Sequence, residues 1–130
     1  MATTTASITL SSSDLTGDAL SLSSTATLTK AAAATGLDQT SGVARKIFTQ
    51  SNVDTVFLAA SYDDDKAHKI YMRNPSTVQG ENFKITIGSQ DVGKIYGGDW
   101  TFLPWMGDAD VKITPSVATT MVLEYMIIFE

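Results

Sequence analysis

Apolar and polar residues alternate one by one along several short segments of this 130-residue chain. Residues 20–28 place leucine or alanine at four of the five even positions and serine or threonine at every odd position. Residues 83–87 alternate in the same way. A period of two is that of a β-strand, whose successive side chains point to opposite faces of a sheet. The pattern therefore predicts an all-β protein.

The run at residues 121–129 differs because it is apolar at nearly every position, with Glu124 as the exception. One face would carry Leu123 and Ile127, and the other Val122 and Ile128. A strand that is apolar on both faces is typical of a strand covered on both sides. We expect this run to form a central strand.

Short strand-like runs separated by turn residues continue along the whole chain. This spacing predicts an antiparallel β-sandwich or jelly roll formed by residues 1–130 as a single domain. The alanine-rich segment 29–35 is expected to form one or two helical turns. The further predicted strands are 7–10, 43–49, 55–60, 68–73, 93–96, 100–103 and 111–113.

The N-terminal third is rich in serine and threonine and contains no aromatic residue before Phe48. It should therefore add little to the central core. We expect residues 1–19 to run as an extended arm that packs on a neighbouring chain, or to form a thin outer layer. A disordered tail is the alternative for the first six residues. The N-terminus has no basic and apolar leader pattern, and no apolar stretch reaches the length of a membrane span.

Hydroxyl groups are abundant, but the residues that activate them are scarce. The chain has 13 Ser and 18 Thr, yet a single histidine, His68, and no cysteine. No G-x-S-x-G motif accompanies them. We predict that the protein is not an enzyme, with no catalytic residues and no cofactor, and that His68 lies on the surface near aspartates.

The densest acidic cluster is Asp63, Asp64 and Asp65. It lacks the spacing of an EF-hand loop, so a solvated turn is favoured over a Ca²⁺ site and no metal is expected. With a net charge of −5 and only two arginines, the chain also lacks the basic surface that nucleic-acid binding needs.

The richest aromatic segment is 100–106. Alternation predicts that Trp100 and Phe102 both face the core. Trp105 follows a proline and falls outside this alternation, so a core position and an interface position are both open for it. Trp105 and Met106 are the candidate interface anchors. A sugar-stacking platform is the alternative use of these aromatic residues.

Several segments of the chain resemble one class of viral protein. The sequence is similar to small virion structural proteins of tailed bacteriophages, especially marine ones. The segments that carry the resemblance are LTK at 28–30, GLD at 36–38, GVARK at 42–46, YGGDWTFLPW at 96–105, DVKITPS at 110–116 and LEYMIIFE at 123–130.

The resemblance implies a non-enzymatic particle protein made in the host cytoplasm and located in the virion. A capsid decoration (cement) protein is expected first, forming a homo-oligomer and binding virion proteins such as the major capsid protein, without nucleic acid or membrane. A neck, tail or fibre component, or a β-module that binds glycans or a host surface, is the alternative.

Overall fold

The computed structural model describes residues 2–130 and is built from β-strands joined by turns, with one short 3-10 turn at Ala59–Ser61. All its strand pairs are antiparallel, which confirms the predicted all-β antiparallel class. No helix within residues 2–130 is long and apolar enough to cross a membrane. The strands are β1 (Thr5–Ser12), β2 (Leu20–Thr27), β3 (Gln39–Thr40), β4 (Ala44–Phe48), β5 (Asp54–Phe57), β6 (His68–Arg73), β7 (Asn82–Ile87), β8 (Gln90–Tyr96), β9 (Trp100–Trp105), β10 (Val111–Pro115) and β11 (Met121–Phe129).

Two larger sheets form the body of the molecule. One has four strands in the order β5-β10-β7-β8, and the other has five, with β3 and β4 on one side of β11 and then β6 and β9 on the other. β11 is thus a central strand, as its apolar sequence predicted. The prediction of helical turns at 29–35 was wrong, because Thr29 instead forms a β-bridge with Gly36 around a turn in which Ala32 has a φ of 55°.

Both sheets contribute to one apolar core, as in a β-sandwich. Phe83 of the four-stranded sheet lies against Phe48 of the five-stranded sheet, with ring centroids 5.4 Å apart. The other buried core residues alternate along their strands: Phe57, Ile70, Met72, Ile85, Ile95, Trp105, Val111, Ile113, Met121, Leu123 and Ile127.

The outer face of β11 is only half-buried. Met126 and Ile128 lie beside Leu37 and the N-terminal residues Ala2 and Thr4. The inner face of β11 is therefore covered by the core, as expected. Its outer face is covered only in part, by the N-terminal segment.

The faces of β9 are the reverse of the expected ones. Trp100 and Phe102 point outward and are 53% and 37% exposed, whereas Trp105 is buried. The strand continues through Pro104, so that Trp105 pairs with His68 and fixes which positions face the core. Proline is tolerated there because β9 is an edge strand of its sheet.

The N-terminal segment is a hairpin rather than a single extended arm. β1 pairs with β2 over their whole length, from Thr5 opposite Thr27 to Ser12 opposite Leu20. The projecting unit therefore extends to residue 27, beyond the expected limit at 19. Its root is fixed where the Leu28 N–H donates to the Thr4 carbonyl at 2.9 Å.

Candidate interaction surface

The two faces of the hairpin differ sharply in chemistry. One face is made of serine and threonine, and the Ser7 and Thr25 hydroxyls hydrogen-bond across it at 2.7 Å. The other face is mainly apolar, with Leu10 directly opposite Leu22. The remaining residues of this apolar face are Ala6, Ile8, Ser12, Leu20, Ser24 and Ala26.

Most of the apolar face is open to solvent. Ile8 is 40% exposed, Leu10 48% and Leu22 45%, and Leu15 in the loop between the strands is 75% exposed. An isolated two-stranded hairpin is at best marginally stable in water, and clustered exposed apolar residues mark interaction sites. The hairpin is therefore the surface of this chain best suited to a partner.

An open groove of about 650 Å³ lies between the root of the hairpin and the outer face of β6 and β9. The residues on its sheet side are Lys69, Tyr71, Arg73, Trp100 and Phe102. The hairpin contributes mainly small or apolar residues, among them Ala6, Ile8 and Ala26. The groove thus has an aromatic floor, a mostly apolar roof and two basic side chains.

The charged groups near the groove form a small network. The Tyr71 hydroxyl donates to Glu124 Oε1 at 3.2 Å, and Arg45 donates to Glu124 Oε2 at 3.1 Å. Desolvation, followed by the hydrogen bond to Glu124, raises the pKa of Tyr71. Lys69 Nζ donates to the Ala67 carbonyl at 2.9 Å, and Arg73 forms no ion pair with any other residue of the range 2–130.

The tip of the hairpin is acidic. Asp14 and Asp18 lie in the loop between β1 and β2 and are exposed. The Ser12 hydroxyl donates to Asp14 Oδ1 at 3.0 Å and accepts from the Leu15 N–H at 3.1 Å, which orders the start of this loop. No other charged side chain occurs in residues 2–27.

The two residues predicted to anchor an interface separate in the structure. Trp105 is 4% exposed, and its indole N–H donates to the Ala109 carbonyl at 2.9 Å, so it is a core residue and not the interface anchor expected. Met106 is 46% exposed beside a shallow cavity that Lys66 and Asp108 also line. A contact of Met106 with a partner stays a prediction.

The prediction that His68 lies on the surface was wrong. His68 is fully buried, its Nε2 hydrogen-bonds the Asp63 carbonyl at 2.9 Å, and its ring centroid lies 5.7 Å from that of Trp105. Gly107, at a φ of +87°, passes so close to that carbonyl that a Cβ would clash with it. Nδ1 has no hydrogen-bond partner within residues 2–130, so no hydroxyl is paired with this imidazole. His68 holds the acidic turn to the core.

The acidic turn itself is solvated, as expected. Asp63, Asp64 and Asp65 are all exposed, and Asp65 has a φ of 57°, a turn conformation that aspartate tolerates better than most residues. Within the described range 2–130, no three histidine or acidic side chains are grouped so that they would hold a metal ion.

The surface that stands out in the structure is thus not the one that sequence reasoning selected. The sequence predicts that Trp100 and Phe102 face the core. It also predicts the two faces of residues 20–28, but it does not predict that this strand pairs with residues 5–12 in a hairpin. The signal for the correct faces was present in Trp105, because extending the alternation through Pro104 places 101, 103 and 105 on the core side.

Comparisons with protein-family models, with curated proteins and with solved structures find no match to this chain.

Proposed function

We propose that this chain is a non-enzymatic structural protein of a tailed-bacteriophage particle, and that it decorates the capsid by binding the major capsid protein. The resemblance of its sequence to small virion proteins suggests the class. The observation that carries the proposal is the hairpin with an exposed apolar face, projecting from a β-sandwich body. A decoration protein needs such a body and such a docking element, and needs no reactive centre.

The chemistry of the hairpin suits repeated docking on a lattice. Its hydroxyl face offers hydrogen bonds, and its apolar face, centred on Leu10 and Leu22, offers area without charge to desolvate. Copies arranged symmetrically on a particle bind through many contacts at once, so each contact can be weak alone. Such attachment should depend only weakly on salt, because few ion pairs contribute to it.

A second candidate is a glycan-binding or host-surface module. It is favoured by the groove, where Trp100 and Phe102 are exposed next to Arg73. Flat aromatic rings stack on sugar rings, and a guanidinium binds carboxylates well. If the chain were instead a neck, tail or fibre component, the same groove or the same hairpin would bind a different neighbouring protein.

The test of the first candidate is copurification with particles of the phage that encodes the chain, checked by mass spectrometry. The wild-type protein should stay on the particles across a salt series. L10Q/L22Q should detach, whereas V92Q should remain bound, because Val92 is 55% exposed on β8 of the other sheet. Absence of the chain from purified particles would overturn the proposal.

The second candidate is tested on a panel of neutral and acidic oligosaccharides. Saturable binding that Trp100→Ala abolishes would favour the glycan module. If the chain also detaches from particles in the presence of the bound sugar, the groove rather than the hairpin is the docking site.

A further inference from the structure

The far end of the hairpin and the groove have opposite charge. The tip holds the only charged residues of the hairpin, Asp14 and Asp18, with the strongly exposed Leu15 between them. The groove is lined by two basic residues, Lys69 and Arg73, above an aromatic floor. The tip, an apolar side chain between two carboxylates, is therefore complementary in charge and polarity to the groove.

A molecule does not place its own tip in its own groove. The part of the hairpin that lines the groove is its root, with Ala6, Ile8 and Ala26. Strands of eight residues extend roughly 27 Å, and the loop at their far end contributes nothing to the groove lining. The complement of the tip therefore lies on another molecule.

We infer that residues 10–22 dock in the groove of a second copy of this chain, with the exposed leucines over the neighbour's aromatic floor. Asp14 and Asp18 then face the neighbour's Lys69 and Arg73. This pairing buries the apolar face, which the isolated chain leaves in water, and it neutralises two basic groups beside an apolar surface. The opposite, hydroxyl face of the hairpin then stays available to the capsid protein, and L10Q/L22Q would detach from particles because neighbouring copies no longer hold one another.

Each copy offers a tip and a groove. If two copies exchange tips, the result is a closed isologous dimer; if each tip binds the next copy in turn, the contact is heterologous and closes into a ring when the geometry allows. The inference rests on the proposed function in one respect: it names the surfaces through which copies of the chain would associate on a particle. Self-association can be measured on the purified chain, without any particle.

The first experiment is sedimentation velocity of the full chain over a concentration series. D14K/D18K should weaken self-association by about tenfold or more, because it reverses the sign of the tip. K69E/R73E should weaken it similarly. An equimolar mixture of the two variants should recover association, since each tip then meets a groove of opposite charge.

The matched control for D14K/D18K is D64K/D108K, which makes the same change in net charge at exposed positions outside the groove. It should associate like the wild type. Failure of the mixture to recover association, or equal weakening by the control, would overturn the assignment of these surfaces.

The second readout concerns the apolar contact. Trp100 fluorescence should shift to shorter wavelength as the concentration rises, and L10Q/L22Q should remove the shift. A chain that stays monomeric at every accessible concentration overturns the inference. So does a chain whose association is lost in L10Q/L22Q but kept in K69E/R73E, because the hairpins would then pair with each other.

Self-association and particle attachment are scored separately. A monomeric chain that still copurifies with particles overturns this inference and leaves the proposed function intact. A chain that associates through these surfaces but is absent from particles supports this inference and overturns the proposed function.

Discussion

Asn74 is the buried polar side chain on which the loops at one end of the sandwich converge. It is fully buried, its Nδ2 donates to the Glu81 carbonyl at 3.0 Å and to the Ile95 carbonyl at 3.3 Å, and its Oδ1 accepts from the Ser76 N–H at 3.1 Å. The order Asn74-Pro75-Ser76 is typical of a turn. It did not reveal that the amide would satisfy carbonyls of two later segments.

Replacing Asn74 by alanine should lower the free energy of unfolding by about 2–4 kcal/mol, because it leaves buried backbone groups without partners. Chemical denaturation monitored by circular dichroism measures the change. Asn52→Ala is the control, since Asn52 is exposed and its side chain bonds only Gln50, and it should change stability little. An unfolding midpoint for Asn74→Ala equal to that of the control would contradict this role.

Glu130 makes a titratable contact between the end of β11 and two loops. Burial acts to raise its pKa, but hydrogen bonds from the Ala31 and Ala67 N–H groups, helped by Lys66 and His68, leave the pKa below its ordinary value. A lowered folded-state pKa contributes stability that is present above the unfolded value of about 4.5 and is lost as the pH falls through the folded value.

Glu130→Gln should therefore lose less stability than the wild type between neutral pH and pH of about 3. Thermal unfolding at a series of pH values measures the difference. Asp64→Asn serves as the control, because Asp64 lies in the exposed acidic turn and bonds only its neighbour, the Asp65 N–H. A wild-type acid profile in Glu130→Gln would show that the contact contributes nothing.

Among the strands, β11 carries most of the five-stranded sheet, because β3, β4 and β6 all pair with it. Its inner face includes Leu123 and Ile127, which are fully buried. Exposed neighbours in the same sheet, such as Ile47 at 64%, show that apolar character alone does not indicate burial.

Ile127→Asp should destabilise the protein by several kcal/mol, or prevent folding, because it places an unpaired carboxylate in the core. Ile47→Asp makes the same chemical change at an exposed position of β4 and should stay within about 0.5–1 kcal/mol of the wild type. Melting curves of the two variants decide the matter. Similar curves for both would mean that Ile127 is not a core residue.

For the molecule as a whole, the sandwich and the hairpin are separable in their packing. The common core contains no residue before Phe48, whereas Leu28 and Leu37 secure the root of the hairpin. The hairpin makes its main contacts within itself. Removing it should therefore affect association more than the stability of the body.

We expect a chain in which residues 5–27 are replaced by a short Gly/Ser linker to melt close to the wild-type temperature. It should also lose self-association and particle attachment. Calorimetry measures the melting temperature and sedimentation velocity measures self-association on the same sample. A chain of wild-type length, in which the apolar positions of residues 5–27 are scrambled, is the control. A large drop in melting temperature would show that the hairpin is part of the folding core.

The sequence by itself determined the all-β class, the central position of β11 and most strand positions. The two-residue period and the turn residues are local signals, and residues 68–73 and 121–129 matched the observed strands to the residue. These features follow from the alternating geometry of the strand and from turn chemistry, which need no knowledge of distant partners.

Only the tertiary structure decided which face of each strand is buried and what covers it. For β9, the pairing of Trp105 with His68 turned Trp100 and Phe102 outward, and His68 became buried because the acidic turn folds back over it. The groove likewise requires the root of the hairpin to lie beside the outer face of β6 and β9. Such choices depend on contacts between segments far apart in the chain, and a one-residue change in register exchanges the two faces of a strand.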